Sequence, residues 1–373
     1  MRIWRDGEVE YLHGGDIYTD NKIRLDFSVN TNPFGMPEAV KKAAAASEQS
    51  WERYPDSLSR TIRQSLAKYY GDGIKPEHLI CGNGASDLFY TLVFALRPGK
   101  ALVPSPSFAE YETALSAAGC KTERFYPGEE YGFALDGGER DFLSRVADSS
   151  GTDMVIIGNP GNPTGMAADN GWIDRLAGLC REKGIFLVVD ECFNWFLKDR
   201  AKFSVIPLIK KRPEEYGHVM AVNAFTKVYA MAGLRFGYAL CTDQMILERM
   251  ECCRQPWSVS APAEAAALAA VREAAVNGGW IDRTVAAVER ERQFLSDGLE
   301  CMGFTVFPSM VNYILFKSGN CFDYKEFCRD RGILIRSCEN FDGLDKRYYR
   351  VSVRLHEENK ALLECMKAAG GKG

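Results

Sequence analysis

The sequence is short of the features that mark several large functional classes. It has only four histidines, His13, His78, His218 and His356, and they share no ligand spacing. No metal site is therefore expected. It has no basic surplus either: 46 Lys and Arg stand against 50 Asp and Glu, a net charge of −4. A general nucleic-acid binder is usually basic, so no nucleic-acid partner is expected. No stretch approaches the ~20 apolar residues that span a bilayer. The opening MRIWRDGEVEYLHGG is charged throughout and has no signal-peptide core. These absences predict no membrane partner and a cytoplasmic location. The twelve cysteines include no CxxC pair. They read as small buried hydrophobes rather than a disulfide framework. There is no internal repeat and no low-complexity tract. What the chain does have, 46% hydrophobic and 12% aromatic residues over 373 positions, suits a large packed core and not a solvated coil.

The middle of the chain alternates between two periodicities. Helical patterns are expected at 58–70, 88–96, 111–118 and 172–183. Short apolar runs between them, at 79–81, 101–104, 154–157, 185–189, 219–224 and 236–240, have the length and composition of buried strands. Continuous apolar strands alternating with helices predict a mostly parallel sheet covered on both faces. The last third changes character. A long charged helix at 280–302 precedes strands at 304–307 and 311–316, a helix at 324–331, strands at 333–336 and 349–353, and a final helix after His356. That order predicts a smaller α+β domain. The expected organisation is an N-terminal arm at 1–40 joining the small domain, a large domain at 41–275 and a small domain at 276–373.

Four local features carry chemistry, each with a plainer alternative. Asp190 directly follows an apolar run, at the strand end where open α/β sheets bind ligands; it could equally be a helix cap. Asn159-Pro160-Gly161-Asn162-Pro163-Thr164-Gly165 is a fixed loop after another strand, with Asn162 as a possible donor, or simply a tight turn. Gly82-Asn83-Gly84-Ala85-Ser86-Asp87 joins a strand to a helix, where free N–H groups attract phosphate; alone it is a weak signal. Lys227 sits in the largely apolar AFTKVYAMAGLRFGY. Few neighbouring charges favour a depressed pKa and a nucleophilic amine, or else a lysine snorkelling from a strand end.

Taken in order, these four features resemble the pyridoxal-phosphate enzymes of the aspartate-aminotransferase fold, class I/II. The resemblance covers nearly the whole chain. It implies that Lys227 binds the cofactor covalently and later moves protons. Asp190 would pair with the ring nitrogen, Asn162 would donate to the ring O3′, and Phe108 would stack on the ring. Gly84, Ala85, Ser86, Thr226 and Arg235 would cradle the phosphate. Tyr54, in Arg53-Tyr54-Pro55-Asp56, would reach the phosphate in a neighbouring subunit, which implies a homodimer with shared sites. Two positions depart from the pattern. Phe193 stands where many relatives have a tyrosine, and Ala224 where many have serine.

Within that family the chain resembles threonine-phosphate decarboxylases, which supply aminopropanol phosphate for cobamide synthesis. The shared pieces are His13-Gly14-Gly15, the DFSxNxNPxGxP pattern from Asp26 to Pro37, Pro256-Trp257-Ser258-Val259, and the segment from Ile335 to Arg354. Ser260 replaces a usual asparagine. Histidinol-phosphate aminotransferases are the alternative; they share the Arg53–Asp56 segment and the arginines. For a phosphorylated amino acid, the resemblance implies Arg350 on the carboxylate and Arg336 and Arg354 on the phosphate, with help from His13 or Asn32. A third reading is a non-catalytic sensor domain. Sensors of this fold carry an added helix-turn-helix domain, for which the first ~40 residues leave no room.

Overall fold

The computed structural model describes residues 2–5, 8–11, 13–18, 22–137, 141–276 and 279–369. Its centre is a seven-stranded sheet in the spatial order Leu79–Gly82, Gly237–Leu240, Val219–Ala224, Phe186–Asp190, Met154–Gly158, Lys100–Pro104 and Lys121–Phe125. Only Gly237–Leu240 runs against the rest. The mostly parallel sheet is therefore as expected.

Strand periodicity explains why it is buried on both sides. Successive side chains point to opposite faces. Val155, Ile157, Leu187 and Val189 enter one apolar cluster, while Met154, Ile156, Phe186 and Val188 enter another. Helices cover each cluster. Asn170–Lys183 buries Trp172, Ile173, Leu176, Ala177 and Cys180, a single stripe at helical spacing. Its start is fixed by Asp169, whose side chain accepts the Trp172 N–H. The strand Lys121–Phe125 is additional to those expected from the apolar runs. That strand is the sheet edge, charged and only partly buried, so it lacks the apolar run that marked the others.

The second sheet has four strands, ordered Thr305–Val306, Tyr313–Lys317, Tyr348–Ser352 and Arg336–Ser337. The helices Trp280–Cys301, Tyr324–Arg329 and His356–Ala369 accompany it. The single strand expected at 333–336 is two. Ile333–Leu334 pairs with Leu25–Asp26 of the N-terminal segment, while Arg336–Ser337 pairs with Tyr348–Ser352. The N-terminal segment begins with an antiparallel backbone pairing of Arg2–Arg5 with Glu8–Tyr11. Among the described residues no helix is long and apolar enough to cross a membrane.

Candidate active site

Five loops leave the same carboxyl edge of the large sheet and converge on a cavity of about 290 Å³. Open α/β sheets bind ligands at this edge. The strand Leu79–Gly82 leads into the helix Gly84–Leu96, whose first turn puts Ala85 and Ser86 on the cavity wall. The first N–H groups of a helix have no partner within it and attract anions. Arg235 lies against this turn: a Cβ on Gly84 would stand 2.7 Å from its guanidinium. Gly84 also has φ +79°, so glycine is required there twice over. Gly237 lets the neighbouring strand approach equally closely, since a Cβ there would meet the Gly84 carbonyl carbon at 2.6 Å.

Asp190 ends the central strand and lines the cavity. The Tyr111 hydroxyl donates to its Oδ2 at 2.5 Å, and the Cys192 N–H to its Oδ1 at 2.9 Å. Burial pushes its pKa up; the donors and the charge of Lys227 oppose the rise. Lys227 follows Val219–Ala224 and shares the cavity. Burial, together with the Arg350 and Arg235 charges, lowers its pKa to about 8, with Cys192 and Asp190 acting in the opposite sense. An amine so placed is partly neutral near physiological pH.

The opposite wall comes from other parts of the chain. Arg336 and Arg350 face each other across paired strands, and both line the cavity. Arg350 is buried. It donates to Asn162 Oδ1 at 2.5 Å and to the Ser28 carbonyl at 2.8 Å. Its Nε has no hydrogen-bond partner among the described residues, a state that an incoming anion or water would relieve. Arg336 donates to Asn340 at 2.7 Å and lies 5.5 Å from the Phe341 ring. His13 stands 2.8 Å from Glu110 and beside the Phe108 ring, and this contact holds the Glu110 carboxyl below its ordinary range.

The cavity thus brings together His13, Ala85, Ser86, Phe108, Asn162, Asp190, Thr226, Lys227, Arg235, Arg336 and Arg350 of the expected residues. Gly84 stands behind its wall. Two expected substrate residues do not line it. The Asn32 amide is spent on the Val228 carbonyl and Thr284. Arg354 is paired with Glu358 and reaches the Asp26 carbonyl. Tyr54 is 77% exposed and stacks on Trp257 at 4.4 Å, outside this chain's cavity. Residues of the site that were not singled out from sequence include Tyr111, Cys192, Ser28, Glu110 and Phe341. Only Tyr111 left a usable signal, one helical turn beyond Phe108.

The donor set suits a pyridine ring carrying a phosphate: an anion-binding helix start with Arg235 at one end, a buried carboxylate at the other, a nucleophilic amine between them and an aromatic wall. Comparisons with known proteins agree. Residues 22–365 match the family model described as aminotransferase class I and II. The chain is 33% identical to the threonine-phosphate decarboxylase of Salmonella typhimurium, over 92% of this chain and 90% of that protein. It is 30% identical to histidinol-phosphate aminotransferase 1 of Cupriavidus pinatubonensis, over 91% and 86%. The crystal structure of the histidinol-phosphate aminotransferase from Clostridium acetobutylicum superposes with a TM-score of 0.84 at 27% identity, covering 94% of this chain and all of that one. Motifs, sheet, cavity and relatives converge: the chain belongs to the class I and II aminotransferase family, enzymes that depend on pyridoxal 5′-phosphate.

Proposed function

We propose that this enzyme decarboxylates O-phosphothreonine or a closely related phosphorylated amino acid, as a cytoplasmic homodimer. The observation that carries the reading is the pair of arginines, Arg336 and Arg350, on adjacent strands of one cavity wall. A substrate with a carboxylate and a phosphate needs two cationic centres at a fixed separation, and planar guanidinium groups recognise paired oxygens. A phosphorylated amino acid engages both arginines in one molecule, whereas histidinol phosphate has no carboxylate and would leave that contact to the keto-acid co-substrate.

In this reading Ala85, Ser86, Thr226 and Arg235 hold the cofactor phosphate, Asp190 faces the ring nitrogen and Lys227 takes the covalent position. The cofactor, when bound, supplies the electron sink for the bond broken at the substrate Cα. Phe108 closes one face of the ring site. Asn162 has its oxygen tied to Arg350, which leaves its amide N–H groups to donate. Arg350 holds the carboxylate, Arg336 holds the phosphate, and His13 closes the mouth. Together the two arginines set the torsion about the Cα–carboxylate bond. If that torsion favours loss of the carboxylate as CO₂, Lys227 Nζ would be the group that returns a proton to Cα. If it favours loss of the Cα proton instead, Lys227 would take that proton and the outcome would be transamination. Exposed Trp51 and Tyr54, with Trp257 stacked on the latter, support a second copy against this face.

The second reading, transamination, is favoured by the close superposition with a histidinol-phosphate aminotransferase. One experiment separates the two. Enzyme and cofactor are incubated with O-phosphothreonine and no keto acid, and CO₂ and the phosphorylated amine are assayed. Decarboxylation continues through many turnovers. A burst of one equivalent, relieved only by 2-oxoglutarate, would make the enzyme a transferase.

A further inference from the structure

Tyr111 is buried in the first turn of the helix Ala109–Ala117, and it touches both the acid and the aromatic wall of the site. Its hydroxyl donates to Asp190 Oδ2 at 2.5 Å. Its ring meets Phe108 edge-on, with centroids 5.6 Å apart and planes at 85°. From the other side Phe89 meets it at 4.9 Å and 73°. Gly158, at the end of the neighbouring strand, leaves room for the hydroxyl: a Cβ there would stand 3.3 Å from Tyr111 Oη. One side chain therefore connects the group expected at the ring edge to the group expected on the ring face.

We propose that Tyr111 is a positioning residue: its hydroxyl keeps Asp190 ionised and aimed at the cofactor ring nitrogen, while its ring sets the tilt of Phe108. This rests on the role given above to Asp190. A buried carboxylate resists ionisation, and donors to its oxygens offset that resistance. Asp190 has one such donor from the backbone, Cys192 N–H, and one from Tyr111. Tyr111 serves as a permanent donor because burial and the adjacent carboxylate push its own pKa well above the ordinary tyrosine range. Removing the hydroxyl leaves Asp190 with a weaker hold on its charge, and the protonated ring loses affinity.

The test is cofactor binding rather than turnover. Apoenzyme is titrated with pyridoxal 5′-phosphate and the dissociation constant is read from tryptophan fluorescence, for Tyr111→Phe, Asp190→Asn and the double variant. Tyr111→Phe is expected to weaken binding about tenfold in the native background. In the Asp190→Asn background its further effect should fall below about twofold, because the tyrosine acts through the carboxylate. Equal losses in both backgrounds would reduce Tyr111 to packing, and wild-type affinity in Tyr111→Phe would overturn the proposal outright. Gly158→Ala provides a second approach: its Cβ would stand 3.3 Å from Tyr111 Oη, from Gly161 Cα and from the Pro160 carbonyl oxygen alike, so only the Asp190-dependent part of its effect reports on the hydroxyl. It should weaken binding in the same Asp190-dependent manner, and unchanged binding there would also count against the proposal. A wild-type protein that binds no cofactor would instead sink the reading of the whole site.

Discussion

The two walls of the cavity are built in different ways. On the cofactor side, each expected residue that lines the cavity lies within a few positions of a strand end of one mostly parallel sheet. Asp190 is the last residue of its strand, Asn162 lies four residues beyond Gly158, and Lys227 three beyond Ala224. On the substrate side, His13 and Ser28 come from the N-terminal segment, and Arg336 and Arg350 from the second sheet. Contacts between residues distant in sequence hold that wall in place, such as Arg350 on the Ser28 carbonyl. The first wall belongs to a rigid scaffold, whereas the second depends on how separate segments dock.

The contrast breaks most sharply at Lys227. Lys227→Ala should lose the absorbance band of the lysine-linked cofactor and all measurable turnover, while noncovalent cofactor binding persists through the rest of that wall. Normal turnover in the variant would remove the cofactor side from the chemistry. In the native chain, attachment of the cofactor to apoenzyme should accelerate as pH rises through about 8, the value to which burial lowers this amine. Only the neutral amine attacks a carbonyl carbon, so the rate climbs with its deprotonation and levels off above that pH. A stopped-flow pH series checks the direction.

On the other wall, two arginines that look equivalent in sequence should separate. Arg336→Ala should raise KM for a phosphorylated substrate by about 10- to 100-fold, with little change for its dephosphorylated analogue. Arg354→Ala should leave that ratio alone. It removes a partly buried pair with Glu358 and should cost about 0.5–1 kcal/mol of stability, read as a lower denaturant midpoint. Reversed outcomes would put Arg354 back in the cavity.

The smallest effect is expected behind the scaffold, at Glu191. It points away from Asp190 and accepts from Ser204 Oγ at 2.8 Å and Val205 N–H at 2.6 Å. Burial raises its folded pKa to about 8, well above the ordinary 4.5 of a glutamate. Between those values the folded chain keeps a proton that the unfolded chain has released. Its contribution to stability is therefore present below about pH 4.5 and is lost as pH rises to about 8. Glu191→Gln should flatten that part of the Tm-against-pH curve, and an unchanged slope would assign it to other groups.

The same contrast explains what the sequence revealed. The cofactor wall was legible because strand, turn and side chain are neighbours in the chain, as in Met154–Gly158 followed by Asn159 to Gly165. The large sheet was legible from its apolar runs, apart from the charged edge strand Lys121–Phe125. The substrate wall was legible only in part. Asn32 and Arg354 stand within a few residues of groups that do line the cavity, yet Thr284 and Glu358 claim their side chains. Nothing in local spacing announces such competition. Tyr111 escaped notice for a related reason: its partner, Asp190, is 79 residues away.

The resting place of Gly14 and Gly15 has one more consequence. The Gly15 N–H donates to Ser28 Oγ at 2.7 Å, and a Cβ on Gly14 would stand 2.4 Å from the Ser28 carbonyl oxygen. That oxygen also accepts from Arg350. Residues 14 and 15 are thereby mechanically linked to Arg350, while the same segment holds Lys227 by a separate contact, the Asn32 N–H donating to the Lys227 carbonyl at 2.9 Å. A side chain added at Gly14 would therefore push on Ser28 and be felt first at Arg350, ahead of any group on the large sheet.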